Sequence, residues 1–597
     1  MRFTGNIRWR SLAGPTIVVL AAVVAVTPQL VRGSSCGHDF DFHLVSWLDC
    51  MNSWKHGILY PHWTPNANLG AGEPRFVFYS PLTWMLAPAL ALVLPWQSVP
   101  IALTFLLLAG TGLATRALAR QSLPEGAATL AGCAALFSGY ALFTAYERAA
   151  FAELAGGLWI PLVLLFALRD RNASLSSSIW KRALDGSVVP LALAVAGAWL
   201  SNPTVGVMAC YLLAAVALTL TLLSRSWAFL LRGSAGAALG IGLVAIYLVP
   251  AAWEQRWVDI HQVTLDPGQT LENNWLFAAH ADPSLALHDQ VLHTASIIAV
   301  CMIAVALVGL LVSWLRGSLP GKRLWWIPLA LTPLAVLFLL FPISHPLWNL
   351  LPDLRFLQFP WRWLLVLEAP MAVFLAAAVW PRPSARRWQR VAVAAVFIAV
   401  SLSITALADR YFFQSCDDED AVPGMLDRYR SGQGFNGTGE YEPIGADNSL
   451  VATGLPDACL VSDPGTELGV LPDGADPDNA NPAWNTAQGS CDATMRWQDD
   501  RPEHRLMRGA ISHAGFLILR LRSYPAWRIA VNGMPVASLP RRNDGLIAVP
   551  VQQGQVDLAV DWTTTPDVIV GRWLSGLTVL LLTGLWFFER MLNRPRV

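Results

Sequence analysis

The sequence has 597 residues, of which 54% are hydrophobic and 14% are charged. A soluble domain carries about 25% charged residues, so this deficit and the mean hydropathy of +0.44 exclude a cytosolic enzyme and indicate a membrane protein. The 41 basic and 41 acidic side chains cancel, but residues 410 to 569 hold 22 acidic and 12 basic residues. This division predicts an acidic soluble domain beside a basic membrane domain. No long basic block accompanies the arginines, which argues against a nucleic-acid partner.

Twelve apolar windows are candidate membrane spans, since about 20 apolar residues cross a bilayer. They lie at residues 12 to 31, 98 to 116, 126 to 143, 154 to 168, 187 to 200, 204 to 223, 235 to 252, 291 to 314, 325 to 342, 362 to 380, 389 to 408 and 570 to 588. The chain is therefore predicted to be a mainly α-helical polytopic protein with about 12 transmembrane helices. Arg2, Arg8 and Arg10 precede the first window and favour an uncleaved anchor with a cytoplasmic N-terminus over a signal peptide.

The stretch from Tyr79 to Trp96, which contains three prolines, decides the sidedness of every later loop. As an ordinary span it would place the arginine-bearing loops outside, against the positive-inside rule. As a juxtamembrane or re-entrant helix on the outer face it leaves them all in the cytoplasm, and we favour this alternative. The cytoplasmic charges are then Arg116, Arg120, Arg169, Arg171, Lys181, Arg182, Arg225, Arg232, Arg316, Lys322, Arg323, Arg382, Arg386, Arg387, Arg390, Arg590, Arg594 and Arg596.

Three regions follow from this topology: a membrane domain over residues 1–409 with an outer loop at 32–97, an extracytoplasmic domain over 410–569, and a final transmembrane helix with a cytoplasmic tail over 570–597. The second region alternates apolar and polar residues near its end, with Gly533, Gly545 and Gly554 as turn candidates, which predicts a β-sandwich-like fold. Its Asp-, Gly-, Asn- and Pro-rich part, residues 465 to 492, is predicted to be irregular. Cysteines on the outer face are expected to pair as Cys36 with Cys50 and Cys459 with Cys491.

The first outer loop begins Gly-His-Asp-Phe-Asp-Phe-His at residues 37 to 43, directly after a predicted span. A carboxylate at the membrane interface can act as a general base toward a hydroxyl or can hold a divalent cation. Alternatively, Asp39 or Asp41 caps the helix that begins at about Leu44 by accepting backbone N–H bonds.

Further motifs follow in the same loop and beyond it. The sequence reads Gly-Ile-Leu-Tyr-Pro-His-Trp-Thr-Pro at 57 to 65 and Phe-Tyr-Ser-Pro-Leu at 78 to 82. It continues with Tyr-Glu-Arg-Ala-Ala-Phe-Ala-Glu at 146 to 153, Leu-Gln-Phe-Pro-Trp-Arg-Trp at 357 to 363, and Tyr-Pro-Ala-Trp at 524 to 527. Over nearly its whole length the chain resembles bacterial multi-pass proteins of the "6-pyruvoyl-tetrahydropterin synthase-related, membrane" family, which is similar to the GT-C glycosyltransferases. It lacks the His-coordinated zinc and the catalytic cysteine of the soluble synthase.

The GT-C resemblance implies that a sugar moves from a polyprenyl-phosphate carrier to an envelope glycan, lipid or protein acceptor on the outer face of the bacterial inner membrane. It also implies an essential acidic residue in the first outer loop, a position that Asp39 occupies. Asp39 is therefore our first candidate for the general base of an inverting transfer, and Asp41 is the second. Membrane lipid is the surrounding partner.

The leaving phosphate needs cations, and Arg148 and Arg362 are placed to supply them at the interface. Glu153 is expected to orient Arg148 or the acceptor. The alternative explanation for each arginine is snorkelling or a simple ion pair, such as Arg148 with Glu147 or Glu153.

Four further residues, His43, His345, Trp63 and Tyr79, are weaker candidates for substrate binding. A histidine at an interface more often satisfies a local hydrogen bond, and tryptophans anchor membrane interfaces. A metal held by Asp39, Asp41 and Glu73 is possible, but lipid-monophosphate donors in similar families generally need none, so no cofactor is predicted.

Two other functions remain open: a transporter or flippase of lipid-linked saccharides, and a non-catalytic membrane component of envelope assembly. A transporter places ionisable residues deep within its spans. Here Glu368 is the main such residue, and the other ionisable groups collect at one face. The pattern favours interfacial chemistry.

Overall fold

The computed structural model describes residues 9–169, 179, 183, 187–477, 480–485, 491 and 495–592. Part of the charge pattern used for the topology lies outside these residues, namely Arg2, Arg8, Arg171, Lys181, Arg182, Arg594 and Arg596. The same holds for parts of the segment from 465 to 492.

Helices dominate the chain up to residue 411 and return at its end. In chain order they are α1 (Trp9–Ala25), α2 (Thr27–Arg32), α3 (Phe40–Lys55), α4 (Arg75–Phe78), α5 (Pro81–Ala91), α6 (Val99–Ala119), α7 (Glu125–Leu136), α8 (Gly139–Tyr146), α9 (Phe151–Leu154), α10 (Gly156–Ala167), α11 (Val188–Ser201), α12 (Pro203–Ser224), α13 (Ala228–Leu243), α14 (Ala245–Glu254), α15 (Ala286–Leu315), α16 (Arg323–Leu339), α17 (His345–Leu350), α18 (Leu364–Val379), α19 (Arg387–Tyr411), α20 (Val422–Ser431) and α21 (Pro566–Leu592).

Each of the twelve predicted apolar windows lies on helix. Among the described residues, seven helices are long and apolar enough to cross a membrane, or nine if each of two sharply bent pairs counts as one span. The bends are 74° between α13 and α14 and 96° between α16 and the segment that begins at Pro342. The three remaining windows fall on shorter apolar helices. A polytopic helical protein is confirmed, whereas the count of about twelve crossings stays a prediction.

Helix α5 covers the stretch whose topology was in question. It has 11 residues, which at about 1.5 Å per residue is roughly half the hydrocarbon thickness of a bilayer. Pro81 lies in its first turn and Pro88 within it. The helix is therefore too short to cross a bilayer alone, as the re-entrant alternative requires.

Between α19 and α21, residues 412–565 form the C-terminal domain. Its strands are β1 (Ala458–Val461), β2 (Gly469–Val470), β3 (Ala483–Trp484), β4 (Trp497–Arg501), β5 (His504–Ile511), β6 (Gly515–Arg522), β7 (Trp527–Val531), β8 (Met534–Pro535), β9 (Leu546–Val551) and β10 (Gly554–Trp562). One sheet has the order β1-β6-β9, the second β4-β5-β10-β7-β8, and β2 pairs with β3. All neighbours in these sheets are antiparallel.

The period of two in β6 explains why the two larger sheets stack. Leu517, Leu519 and Leu521 enter the same hydrophobic cluster as Leu558 and Val560 of the facing sheet. The predicted β-rich region is therefore present as antiparallel sheets that share a hydrophobic cluster, and the three glycines named as turn candidates all have positive φ. The region from 465 to 485 is mostly irregular where it is described, with only the two short strands β2 and β3.

The first loop of the membrane domain packs into the C-terminal domain. Trp63 is fully buried, and its ring centroid lies 5.2 Å from that of Trp527 and 5.7 Å from that of Trp562. Gly72 has φ of +75°, and a Cβ at this position would collide with the Trp63 ring. In the same region the Leu69 N–H donates to the Phe435 carbonyl, and the Phe435 N–H donates to the Asn66 carbonyl. The aromatic and glycine motifs of the loop therefore build a domain interface.

Two disulfides are present, and one differs from the expectation. Cys459 pairs with Cys491, as predicted. Cys36 pairs with Cys416, 380 residues away, and the expected partner Cys50 is a buried free thiol on α3. The pairing Cys36–Cys50 was wrong because α3 carries Cys50 away from the loop, while the chain after α19 returns to it.

Replacement of Trp63 by alanine should destabilise the domain interface. Loss of a buried tryptophan costs about 3–5 kcal/mol, so we expect a lower midpoint of thermal unfolding and faster proteolysis of the C-terminal domain in the purified full-length protein. Leu59→Ala is the control in the same loop, since Leu59 is 73% exposed. Equal midpoints for the two variants would contradict the packing role of Trp63.

Candidate functional site

A cavity of about 950 Å³ lies between the membrane helices and the C-terminal domain. One wall is apolar and comes from α12 to α15, with Val207, Ile241, Leu248 and Val291 among its residues. The C-terminal domain contributes Thr438, Glu440 and Tyr441 to the lining. Charged residues of both signs also line the cavity, among them Asp39, Arg148, Glu153 and Arg362. The volume is in the range of small-molecule sites, about 300–1,000 Å³.

Asp39 is held by its backbone, and its carboxylate faces the cavity. It is the N-cap residue of α3, yet its side chain makes no capping hydrogen bond. Its N–H donates to the Arg148 carbonyl at 2.9 Å, and the neighbouring His38 N–H donates to the Glu147 carbonyl at 3.4 Å. Gly37 permits this approach, because a Cβ there would collide with the Glu147 carbonyl oxygen. The Asp39 side chain remains 40% accessible because it borders the cavity.

Glu153 is the buried centre of the charged cluster, with 1% exposure. Arg148 Nη1 lies 2.6 Å and Arg362 Nε 3.2 Å from the same oxygen, Glu153 Oε2. The Tyr140 hydroxyl donates to the other oxygen. Arg148 Nη2 lies 3.7 Å from Asp39 Oδ2. The positive charges of the two arginines thus equal the negative charges of the two carboxylates, and their mutual pairing offsets the free-energy cost of burying them.

Arg362 is oriented by residues that precede it in the chain. Its Nη1 donates to the Leu357 carbonyl at 2.8 Å and to Gln358 Oε1 at 3.1 Å. The Gln358 amide nitrogen donates in turn to the Val263 carbonyl at 2.7 Å and to Gln269 Oε1 at 2.6 Å. The loop between α14 and α15 is thereby linked to the guanidinium group of Arg362.

Two aromatic rings lie against the arginines. The Arg148 guanidinium carbon is 5.0 Å from the ring centroid of Trp361, and that of Arg362 is 4.6 Å from the ring centroid of Phe359. The two rings stack on each other at 4.9 Å. Cation–π contacts of this kind stabilise partly desolvated cations. The Phe-Pro-Trp-Arg segment therefore shapes the cationic side of the cavity.

Burial and neighbouring charges act in opposite directions on the pKa of Asp39 and Arg148. Burial raises the pKa of Asp39 above its ordinary value, and the positive charges of Arg148 and Arg362 reduce that increase without cancelling it. Burial lowers the pKa of Arg148, but the Glu153 and Asp39 carboxylates raise it by more. Arg148 is therefore a fixed cation, while Asp39 is a carboxylate with enhanced basicity.

The structure brings five of the predicted residues together at the cavity: Asp39, Tyr79, Arg148, Glu153 and Arg362. Asp41 is not among the residues that line it. Its side chain is exposed, and Oδ1 accepts a hydrogen bond from the Phe42 N–H at 2.6 Å. The two carboxylates of the Asp-x-Asp motif thus have different surroundings, because positions two residues apart at the start of α3 face different sides of the helix.

Three further predicted binding residues lie outside the cavity. His43 is buried with its ring 5.3 Å from Phe151, and burial lowers the pKa of His43 to about 3, so its imidazole is neutral. Trp63 is fully buried in the domain interface. His345 is partly exposed and pairs with Glu272 at 3.1 Å. These residues pack or pair locally and do not line the cavity, and their contact with substrate stays a prediction.

A buried ion pair that the sequence reasoning missed supports the cavity wall. Arg75 Nε lies 2.7 Å from Glu73 Oε1, and Arg75 Nη1 donates to the Phe42 carbonyl at 3.0 Å. Thr438 donates to both Glu73 oxygens, from its N–H at 2.8 Å and its hydroxyl at 2.9 Å. Opposite charges two residues apart in Glu73-Pro74-Arg75 were the available signal. The carboxylate of Glu73 therefore ties the first loop to the C-terminal domain.

Within the described residues, no three His, Cys, Asp or Glu side chains are grouped so that they could hold a metal ion. Glu73, which was considered as a ligand with Asp39 and Asp41, is committed to Arg75 and Thr438.

No protein-family model matches the chain, and no curated protein sequence matches it. Membership of the family named above therefore stays a prediction. Two solved structures of the Archaeoglobus fulgidus oligosaccharyltransferase are similar in fold, each at 14% identity. One is tethered to an acceptor peptide containing the NVT sequon and aligns over 73% of this chain and 61% of that chain, with a TM-score of 0.40. The other, a complex with Zn and sulfate, aligns over 72% and 58%, with a TM-score of 0.35. The chain spans about three fifths of the length of these solved structures.

Replacement of Glu153 by glutamine should destabilise the protein, because it leaves two buried arginines without their shared counter-charge. Loss of one partner from a buried ion pair costs about 3–5 kcal/mol. Thermal unfolding of the full-length protein in detergent measures the effect. Glu147→Gln is the control, since Glu147 accepts a hydrogen bond from Gln414 but pairs with no arginine among the described residues. A midpoint for Glu153→Gln as high as that of Glu147→Gln would contradict the role of Glu153 as counter-ion.

Proposed function

We propose that this chain is a GT-C-like glycosyltransferase. It moves a sugar from a polyprenyl-phosphate carrier to an envelope acceptor, which is a glycan, lipid or protein, with inversion at the anomeric carbon. The observation that carries the proposal is the pairing at the cavity of an accessible carboxylate, Asp39, with two arginines fixed by Glu153.

Asp39 is the general base in this mechanism. It accepts the proton of the acceptor hydroxyl as the hydroxyl oxygen attacks the anomeric carbon of the donor sugar. The glycosidic bond to the phosphate breaks, and its electron pair leaves with the phosphate. A carboxylate with a raised pKa that still faces the cavity suits this task, since its basicity is higher than that of an ordinary aspartate.

Arg148 and Arg362 stabilise the phosphate that leaves. Arg148 directs Nη1 to Glu153, while Nη2 lies near Asp39 and the cavity. Nε of Arg362 forms an ion pair with Glu153, and Nη1 donates hydrogen bonds to Leu357 and Gln358. Nη2 makes no hydrogen bond within the described chain. Each arginine thus retains one nitrogen for a phosphate oxygen, and the fixed partners hold it in place before the charge develops.

The apolar wall suits the lipid part of the donor. Ile241, Leu248 and Val291 come from helices that are candidate membrane spans, and they line the same cavity as Arg362. A polyprenyl chain packs against such a wall while its phosphate reaches the arginines. Transporters instead need ionisable groups deep in the bundle, whereas Glu153 and Arg362 lie three residues into apolar helices that begin at Phe151 and Pro360.

We place the cavity and the C-terminal domain on the extracytoplasmic face of a bacterial inner membrane, with both termini in the cytoplasm. Thr204 and Val291 line the cavity near the N-terminal ends of α12 and α15. The opposite ends of these helices are followed directly by Arg225 and Arg316. This separation of cavity and arginine-bearing loops supports the positive-inside assignment.

The two carboxylates of the Asp-x-Asp motif provide the direct test of the mechanism. Asp39→Asn keeps the shape of the side chain but removes the base, so transfer from labelled polyprenyl-phosphate sugars in membranes should fall by about 10²–10⁴-fold. Asp41→Asn is the matched control, and its rate should remain within about threefold of wild type because Asp41 lies outside the cavity. Equal transfer by wild type and Asp39→Asn would refute the assignment of the base.

The raised pKa of Asp39 also predicts the pH dependence of transfer. The base acts only when it is unprotonated, so the rate falls as the pH drops through the pKa. This fall in rate at low pH is the acid limb of the pH–rate profile. Because burial raises the pKa of Asp39, the midpoint of the acid limb should lie above the ordinary aspartate value of 3.8. Initial rates measured between about pH 4 and pH 8 test this. The Asp41→Asn variant should show the same limb as wild type, and a limb at or below the ordinary value would contradict the pKa argument.

A further inference from the structure

Three segments that are distant in sequence meet directly behind Asp39 and Arg148. Residues 33–38 lead from α2 to Asp39, residues 147–150 join α8 to α9 and include Arg148, and residues 412–416 follow α19. The first segment leads directly to the proposed base, and the second contains one proposed phosphate ligand. The third contributes no residue to the cavity, so its contacts with the other two call for an explanation.

The segment after α19 is joined covalently to the segment that leads to Asp39. The disulfide Cys36–Cys416 closes the contact three residues before Asp39. The Cys36 N–H donates to the Gln414 carbonyl at 3.0 Å, and the Gln414 N–H donates to the Ser35 hydroxyl oxygen at 2.9 Å. The backbone on both sides of the disulfide is therefore fixed.

The same segment also reaches the turn that carries Arg148. The Gln414 side-chain amide donates to Glu147 Oε2 at 2.7 Å, and the Ser35 hydroxyl donates to the Tyr146 carbonyl at 2.7 Å. One residue after Glu147, the Arg148 carbonyl accepts the N–H of Asp39. Gln414 and the disulfide thus support the base and the arginine without lining the cavity themselves.

We propose that Cys36, Cys416 and Gln414 are positioning residues for the transfer reaction: the disulfide holds Asp39 against Arg148, and transfer is sensitive to thiols. The proposal rests on the proposed function, since it assigns these residues a role in that same site. None of the three lines the cavity, so they act through Asp39 and Arg148.

Helix α19 itself does little to fix this segment. The helix is largely exposed along its length, with Ser401, Thr405 and Ala408 as its buried residues. A noncovalent ion pair between Arg32 and Asp409 is 39% and 40% exposed, and exposed pairs hold geometry weakly. Beyond the helix, the rings of Phe412 and Phe413 contact those of Phe143 and Tyr146. The disulfide adds a covalent constraint to these noncovalent contacts.

The disulfide affects the rate of transfer because that rate is sensitive to the position of Asp39. A displacement of about 1 Å in a catalytic group can cost about 10²-fold in rate. The Asp39–Arg148 separation of 3.7 Å also sets how strongly the arginine charge opposes the rise in the pKa of Asp39. If the segment moves away, that opposition weakens, and the acid limb of the pH profile shifts to higher pH. A bond that only stabilised the fold would leave this limb in place.

Reduction of the bond is a balanced two-electron step. A dithiol such as dithiothreitol supplies two electrons and two protons, which convert Cys36 and Cys416 into two thiols, and it leaves as a cyclic disulfide. Both cysteines are partly exposed, so the reagent has access to the bond. Serine replacement gives the same open state without a reductant.

The experiment compares two double variants of the full-length protein in detergent with labelled polyprenyl-phosphate sugar as donor. In Cys36→Ser/Cys416→Ser, we expect kcat to fall by at least about tenfold, and the acid limb to move up by at least about 0.5 pH unit. The control is Cys459→Ser/Cys491→Ser, which removes the second disulfide inside the C-terminal domain. It should retain kcat within about twofold and the wild-type limb.

Dithiothreitol and a second variant keep the test independent of folding. The reductant should lower the rate of folded wild type and of the Cys459→Ser/Cys491→Ser variant, but not that of Cys36→Ser/Cys416→Ser. Gln414→Met keeps the disulfide and removes only the bond to Glu147, and it should shift the acid limb in the same direction by less.

Wild-type kinetics in Cys36→Ser/Cys416→Ser, a fall in rate without a shift of the acid limb, or an equal loss in both double variants would each overturn the proposal. These outcomes all require donor turnover by wild type. A wild type that transfers no sugar would instead contradict the proposed function, so the two failures are distinguishable.

Discussion

A single buried carboxylate, Glu153, lies at the centre of the cavity's charged side. Both arginines contact the same oxygen of Glu153, and the Tyr140 hydroxyl occupies the other. Without this shared counter-charge, the two cations would repel each other in a poorly solvated site. Glu153 therefore allows two positive charges to lie side by side near a membrane, and the geometry around Asp39 depends on that arrangement.

The C-terminal domain also contributes to the cavity and to the packing of the first loop. The first loop enters its core through Trp63, and the Glu73–Arg75 pair binds Thr438 at the cavity wall. The cavity therefore lies where the membrane helices meet the part of the C-terminal domain that contains Thr438, Glu440 and Tyr441. A domain that merely followed the membrane region in sequence would not supply this wall, which explains why the aromatic and glycine motifs of the loop are dense.

The helical class and the β-rich region could be predicted from the sequence, because apolar windows and alternating strands follow from periodicity. Four charged residues that line the cavity, Asp39, Arg148, Glu153 and Arg362, are instead what the resemblance to the GT-C glycosyltransferases implies. Long-range pairing left no such signal. Cys36 pairs with Cys416 because α19 returns the chain to the first loop. Trp63 is buried against strand residues that lie some 460 to 500 positions later in the sequence. Asp39 and Asp41 could be separated only by knowing the direction in which α3 begins.

The difference between Asp39 and Glu153 shows how one cavity gives two carboxylates distinct roles. Glu153 is 1% exposed and directly contacted by both arginines, so its negative charge is neutralised by the two ion pairs. Asp39 is 40% accessible and 3.7 Å from the nearer guanidinium nitrogen, so it keeps a free face toward the cavity. Environments that separate two carboxylates in this way are the usual means of assigning structural and acid–base roles within one site. In the proposed mechanism, the donor phosphate competes with Asp39, and not with Glu153, for Nη2 of Arg148. Donor binding in that mechanism weakens the hold of Arg148 on Asp39 and increases the basicity of Asp39 when the acceptor proton must be removed.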